Sequence, residues 1–198
     1  MKPWKQAIIT VLSHRWPWVS RMRILTVAVL SLNIFCGLAF AEVLTSKEEA
    51  LKQLLAQAET VTPKTVSLSE EQKKKIERNA GVELNSDEFR FYIGEAAGKI
   101  VGYAAEDTVP GKWGPIHYIL GITPEGRVTN VIILEYKERR GRPVAKKRFL
   151  KQYIDKTASD PVRLRKDIDG VTGATISSRG ITDGVRKLLY IFEEFFKS

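Results

Sequence analysis

Hydroxyl-bearing and small residues are concentrated in one stretch near the end of the 198-residue chain, DIDGVTGATISSRG, residues 167–180. The positions concerned are Thr172, Gly173, Ala174, Thr175, Ser177 and Ser178. An amphipathic helix is predicted to begin here, so its first backbone N–H groups and the positive end of its dipole converge at this point. A phosphate fits such a place, and Gly173 and Ala174 are too small to obstruct it. The pattern indicates an anion site beside reactive hydroxyls, with ordinary helix capping by Thr175 as the alternative.

The helix that follows is predicted from apolar residues at three- and four-residue spacing. They are Ile181, Val185, Leu188, Leu189, Phe192, Phe195 and Phe196. A further helix is expected in the second half of residues 137–157, with four side chains turned inward: Val144, Phe149, Tyr153 and Ile154. Both segments present one apolar face, which we expect to pack on a sheet.

That sheet is predicted from two hairpins. Residues 89–95 and 99–106 are predicted to be strands joined at Ala97 and Gly98, and residues 116–136 repeat the plan around a turn at 123–126. Between the hairpins lies the loop DTVPGKWGP around Trp113, which is either a simple connector or the lip of a binding site. Two hairpins predict an antiparallel sheet of about four strands.

Two helices are expected before the sheet. Capping-box residues around Ser46 open the first, which should run to about Thr60 and be ended by Pro63. Ser69 with Gln72 opens the second, which should stop near Gly81. The fold class predicted is α+β, with helices covering one sheet face.

An apolar, uncharged segment occupies residues 24–41 and is preceded by Arg21 and Arg23. This pattern is typical of a signal peptide or an N-terminal membrane anchor whose basic flank stays inside, so the remainder should be extracytoplasmic, on the periplasmic side. Ala39 and Ala41 make a small-x-small cleavage pattern, whereas the length of the run favours an anchor, and Met22 is an alternative start. The predicted domains are 1–41 for export, 42–85 as a helical part and 86–198 as the main domain.

Composition excludes several classes of function. The formal charge is +9, but five basic residues lie in the first 41 positions, which hold no acidic residue, so nucleic-acid binding is not expected. Cys36 is the only cysteine, and His14 and His117 are the only histidines. The chain alone therefore is not expected to hold a metal site, a haem or an iron–sulfur cluster.

Residues 169–175, DGVTGAT, resemble the flavinylation motif D-x-x-[ST]-G-A-[ST] of the FMN-binding domain family. This family includes the G subunit of Rnf electron-transfer complexes, the C subunit of the sodium-pumping NADH:quinone reductase and NosR-like membrane proteins. All five specified positions match. The resemblance covers roughly residues 92–189 and includes Glu138 and Gly141 of ILEYKERRG, although Arg139 and Arg140 replace the Thr-Pro usual in the first two subunits.

The resemblance implies that FMN is joined through its phosphate to Thr175 by an FAD:protein FMN transferase of the ApbE type. Asp169 is then part of the motif read by the transferase, the alternative being an ordinary turn residue. Glu138 is a further cofactor-binding candidate, although it could simply neutralise the adjacent arginines. The other expected cofactor neighbours are Thr172, Gly173, Ala174, Ser177 and Ser178. Trp113 and Tyr118 are candidate neighbours of the flavin ring, with burial in the core as the alternative.

The function predicted on this basis is that of an exported or membrane-anchored electron-transfer flavoprotein rather than a self-contained enzyme. No catalytic residue is assigned, since the flavin would supply the chemistry. The expected partners are a membrane reductase or quinol oxidoreductase and an exported cytochrome-like acceptor. The alternatives are a regulatory or assembly module of a membrane redox system and an exported flavin reductase.

Overall fold

The computed structural model describes residues 42–137 and 143–197 of the chain. The strands are β1 (Glu42–Val43), β2 (Thr60–Ser67), β3 (Glu88–Ala96), β4 (Lys99–Pro110), β5 (Pro115–Ile122) and β6 (Val128–Tyr136). The helices are α1 (Lys47–Leu54), α2 (Glu70–Ala80), α3 (Lys147–Leu150) and α4 (Thr175–Phe196), with 3-10 turns at Pro143–Ala145 and Lys151–Tyr153. The strands form one antiparallel sheet in the order β1-β6-β5-β4-β3-β2. The α+β class is thereby confirmed.

Both predicted hairpins are present. Ala97 and Gly98 join β3 to β4 with positive φ angles of 48° and 72°. The turn between β5 and β6 is closed by a hydrogen bond from Gly126 N to Thr123 O of 2.9 Å. These turns set the register that aligns the four central strands.

The sheet is wider than the sequence predicted. The first helix does not run to Thr60: α1 ends at Leu54, and Thr60–Ser67 forms β2, which pairs with β3. Residues TVTPKTVS are largely β-branched, which favours a strand. Pro63 is compatible with this strand because β2 lies at the edge of the sheet, where one side needs no ladder donors. The sheet therefore has five long strands and the two-residue β1 instead of about four strands.

Helices cover both faces of the sheet, which corrects the expectation of one covered face. The larger core lies beneath α2 and α4 and contains Phe91, Tyr103 and Tyr118. On the opposite face α1 buries Ala50 and Leu55, together with four strand residues: Tyr92, Ala104, Ile119 and Leu134. Successive residues of a strand point to opposite faces of the sheet. Where consecutive residues of a central strand are both apolar, both faces of the sheet must therefore be covered.

The predicted inward face of α4 is confirmed. Of the seven residues predicted to face inward, five are buried, namely Ile181, Val185, Leu188, Leu189 and Phe192. The other two, Phe195 and Phe196, are partly buried and pack against the same core. The segment before it departs from the prediction. Ile154 is 39% exposed, because the helical turn ends there and the backbone of Asp155 and Lys156 pairs with Val128 instead.

The predicted export segment, residues 24–41, lies outside the described residues. Within residues 42–137 and 143–197, none of the helices combines the length and apolar character that a membrane crossing requires.

Candidate functional site

The first turn of α4 is open. The helix begins at Thr175, and its N-cap is Ala174, whose side chain cannot accept a hydrogen bond. By contrast, Ser46 and Ser69 close the first turns of α1 and α2 with complete capping boxes. The first N–H groups of a helix have no partner within it, and those of α4 lie at its N-terminus beside Thr175, which is exposed. Thr175 is therefore not the capping residue that the alternative interpretation required.

Gly173 leaves space in front of this turn. Its φ angle is +79°, a left-handed conformation that side chains disfavour, and a Cβ built on it would meet no atom within 4 Å. The turn is closed by a hydrogen bond from Ala174 N to Val171 O of 2.9 Å. Approach to Thr175 is thus unobstructed from this side, and the left-handed geometry explains why glycine stands there.

Ser177 and Ser178 are fully buried and do not face outward with Thr175. The oxygen of Ser177 accepts a hydrogen bond from Lys112 N at 3.2 Å, and that of Ser178 accepts one from Val171 N at 3.0 Å. Both hydroxyls hold neighbouring loops against α4. Their structural role is to fix the surroundings of Thr175.

Asp169 is held through its backbone by Gln152. The side-chain amide of Gln152 accepts from Asp169 N at 2.8 Å and donates to Asp169 O at 3.1 Å. The side chain of Asp169 remains exposed. Gln152 thereby fixes the start of the DGVTGAT segment and leaves the carboxylate of Asp169 accessible.

Asp167 organises the loop that precedes this segment. Its carboxylate accepts hydrogen bonds from Arg163 N at 2.8 Å and Val162 N at 3.1 Å, and Lys156 Nζ lies 2.9 Å away. Partial burial acts to raise the pKa of Asp167, but these hydrogen bonds and the Lys156 charge outweigh it and hold the pKa below its ordinary value. The loop is therefore fastened by an ionised carboxylate.

Thr175 opens onto a cavity of about 580 Å³, here called the Thr175 cavity. It is lined by Val82, Glu83, Asn85, Thr108, Val109, Pro110, Thr175, Ile176, Arg179, Gly180, Asp183, Gly184 and Lys187. Its walls come from α4, the end of β4 and the connection between α2 and β3. The volume lies within the range of small-molecule sites, and the lining combines apolar walls with a few polar and charged groups, as such sites commonly do.

Asp169 and Thr172 face a different cavity, of about 490 Å³, here called the Thr172 cavity. Its lining includes Lys146, Arg148 and Gln152. The structure thus divides the predicted site residues between two cavities, with Thr175 on one and Asp169 and Thr172 on the other. Glu138, Arg139, Arg140 and Gly141 lie outside the described residues.

The two aromatic candidates have different environments. Tyr118 is fully buried in the core, and its hydroxyl donates to Asp107 Oδ2 at 3.3 Å. Burial first, and then the Asp107 charge, raise the pKa of Tyr118 well above its ordinary value, so it is a protonated core residue. Trp113 is 47% exposed, and Lys112 Nζ lies 5.3 Å from its ring centre. The Lys112–Ser177 hydrogen bond places the Trp113 loop beside the first turn of α4.

Several lining residues were missed by sequence reasoning. Val82 and Asn85 come from a connection distant in sequence, and the inward placement of Lys187 has no signature in the residue pattern. The two glycines of α4 do carry a signal. A Cβ on Gly180 would clash with Pro110 O, and one on Gly184 would lie 2.6 Å from the Tyr118 hydroxyl, so glycines four apart in an otherwise strong helix mark close packing on β4 and β5.

Comparison with known proteins identifies the domain around this site. Residues 111–190 match the FMN-binding domain family. The G subunit of the Na⁺-translocating ferredoxin:NAD⁺ oxidoreductase complex of Acetobacterium woodii is 25% identical over an alignment of 187 residues, gaps included, which covers 85% of this chain and 89% of that relative. The G subunit of the proton-translocating ferredoxin:NAD⁺ oxidoreductase complex of Clostridium ljungdahlii is 30% identical over an alignment of 105 residues, gaps included, which covers 49% of this chain and 56% of that relative.

The fold is also similar to a solved structure. The crystal structure of Shewanella oneidensis NqrC superposes with a TM-score of 0.51 at 17% identity, covering 77% of this chain and 88% of that one. The match to the family extends from the Trp113 loop through most of α4, and so contains Thr175 and part of its cavity.

Proposed function

Because residues 111–190 match the FMN-binding domain family, we propose that the chain is an electron-transfer subunit of a membrane redox complex, with FMN joined through its phosphate to Thr175. The two relatives named above are G subunits of ferredoxin:NAD⁺ oxidoreductase complexes, which supports a role within such an assembly. The proposal extends to an extracytoplasmic position, supported by the apolar segment at residues 24–41 and its basic flank.

The observation that carries the proposal is the position of Thr175. Its hydroxyl is exposed, stands at an uncapped helix N-terminus and lines a cavity of about 580 Å³. A phosphate ester there would receive the first N–H groups of α4 and the helix dipole, while the adjoining cavity would receive the rest of the cofactor. The residues present therefore fit the group that the family binds.

Individual side chains have distinct tasks in this arrangement. Arg179 follows Thr175 by one helical turn on the same side of α4, so its guanidinium is within reach of a phosphate on Thr175. Val109, Pro110 and Ile176 form apolar walls that would exclude water from one side of the cofactor. Ile176 is 57% exposed, and a cofactor bound at Thr175 would cover it. Bound FMN supplies one- and two-electron chemistry.

Attachment requires a second protein. We propose an FAD:protein FMN transferase of the ApbE type, which would act on the accessible segment 169–175. The Thr175 oxygen would form the new bond to the phosphorus of the FMN half of FAD, the pyrophosphate bond would break, AMP would leave, and the hydroxyl proton would be released to water. The exposed Asp169 carboxylate, held in place by Gln152, is the side chain proposed for recognition by that enzyme.

Intact mass spectrometry of the full chain, produced with and without a flavin transferase, tests the proposal. The expected result is an added mass of FMN less water only when the transferase is present. Thr175→Ala should remove the adduct, and Thr175→Ser, which keeps a hydroxyl, should retain it. Peptide mapping should place the flavin on residue 175. An unmodified wild-type chain after export in the presence of an active transferase would refute the proposal, and the same spectrum gives the position at which the mature chain begins.

A further inference from the structure

Lys187 is a charged residue placed almost entirely inside the protein. Its side chain is 8% exposed, and its Nζ lies 2.8 Å from Asp107 Oδ2, whose side chain is 11% exposed. The same Nζ lies 5.4 Å from the centre of the Phe89 ring. Tyr118, a strand residue, donates to the same Asp107 oxygen, so the carboxylate is held by the sheet as well as by the lysine.

This lysine lies where two cavities meet. It lines the Thr175 cavity and also a cavity of about 530 Å³ that contains His117, Glu106 and Arg90, here called the His117 cavity. The two share Asn85, Thr108 and Lys187. Lys187 therefore forms the far end of the Thr175 cavity as seen from the first turn of α4.

The spacing along α4 suits a ligand that begins at Thr175. The residues Thr175, Arg179, Asp183 and Lys187 recur every four positions and all line the same cavity. Twelve residues of helix span about 18 Å, and helical side chains generally tilt toward the N-terminus, so the end of the cavity at Lys187 lies within about that distance of Thr175. An FMN extended from a phosphate on Thr175 would place its ring at this end.

The stability gained from the ion pair with Asp107 does not by itself explain why Lys187 is buried. A buried ion pair gains little over apolar residues of similar size, because both charges lose their hydration. An ammonium has three N–H donors, of which Asp107 engages one, so donors remain for a group in the cavity. Asp107 fixes the direction in which they point.

We propose that Lys187 donates a hydrogen bond to the acceptor edge of the FMN ring and thereby raises the reduction potential of the flavin. Asp107 is its positioning residue. This proposal rests on the proposed function. A cationic donor at the ring favours the reduced ring, which carries more electron density, over the oxidised ring. The potential of the electron carrier would then be set by one residue of α4.

The test uses the full chain produced with a flavin transferase, with the adduct on Thr175 verified by intact mass before any other measurement. In the double variant Lys187→Gln, Asp107→Asn an amide pair replaces the ion pair, which avoids leaving one buried charge alone. Spectroelectrochemical titration should give a lower reduction potential than in wild type. Lys187→Arg, which keeps the cation, should stay closer to the wild-type potential. The control Lys75→Gln removes an exposed lysine paired with Glu194 and should leave the potential unchanged.

A second measurement needs no variant. Infrared difference spectra of the wild-type protein should show a ring carbonyl stretch lowered relative to free FMN in water, as expected for a charged donor. The role of Lys187 would be overturned if the flavinylated double variant kept the wild-type potential, or if the carbonyl stretch of the wild-type protein equalled that of free FMN. Either result would leave attachment at Thr175 intact. Absence of any adduct would overturn the proposed function itself, and the role of Lys187 with it.

Discussion

The hydroxyl oxygen of Ser177 accepts a hydrogen bond from the backbone N–H of Lys112 at 3.2 Å, across 65 positions of sequence. This bond fastens the Trp113 loop, which is further closed by a hydrogen bond from Gly111 N to Gly114 O of 3.0 Å, to the first turn of α4. The loop and the proposed attachment residue are thereby held as one unit. The next residue, Ser178, fixes the opposite loop through Val171 N.

Ser177→Ala should release the Trp113 loop. The loss of one buried acceptor is expected to lower the free energy of unfolding by about 1 kcal/mol. Hydrogen exchange of the amides at 111–114 should accelerate, whereas the FMN adduct should still form because Thr175 is intact. Ser178→Ala is the matched control, since it should accelerate exchange at Val171 instead. Equal acceleration of both loops in both variants would contradict separate fastening.

Gly184→Ala should weaken the packing of α4 on the sheet. The added Cβ would lie 2.6 Å from the Tyr118 hydroxyl and 2.7 Å from Val109, so the helix must move away. We expect the free energy of unfolding, measured by urea denaturation, to fall by about 1–3 kcal/mol. Gly170→Ala is the control, because its Cβ would meet atoms no closer than 3.8 Å. A wild-type stability for Gly184→Ala would show that the contact is not tight.

Asp167→Asn should change how stability depends on pH. The pKa of Asp167 is lowered in the folded chain, so its ionised form stabilises the fold above the ordinary value of 3.8, and this contribution disappears as pH falls through the folded value. The variant should be less stable than wild type at pH 7, and the difference should narrow as pH falls below 3.8. Urea titrations of both proteins, repeated between neutral and acidic pH, measure this difference in stability. A difference that stays constant with pH would show that the carboxylate charge has no part in fastening the loop.

Sequence patterns predicted those parts of the fold that depend on local periodicity. The apolar spacing of α4, the two hairpins and the capping boxes at Ser46 and Ser69 are all present. The strand β2 was missed because Pro63 was interpreted as the end of a helix, whereas at a sheet edge a proline is tolerated. The second covered face was missed because the contribution of α1 depends on contacts between residues distant in sequence.

The position of the proposed site could be predicted from the sequence, but its walls could not. The DGVTGAT motif indicated the position of Thr175, and the helix boundary that makes this position accessible could be predicted. The division of the motif between two cavities depends on how the chain turns at Gly173, and the walls at Val82 and Thr108 depend on tertiary packing. Lys187 lies on a helix face that periodicity alone would assign to solvent, and its inward position follows from Asp107 on another element.

The glycine contact between α4 and β4 has a mechanical consequence. Gly180 brings the helix backbone against the carbonyl of Pro110, so the segment that follows Thr175 is clamped to the sheet along its first turns. With FMN joined at Thr175, the anchor point would be stationary, and any excursion of the ring toward a donor or acceptor would come from rotation about the single bonds of the cofactor's own ribityl chain. The protein would hold the attachment point fixed, and the ribityl chain of the cofactor would be the flexible link.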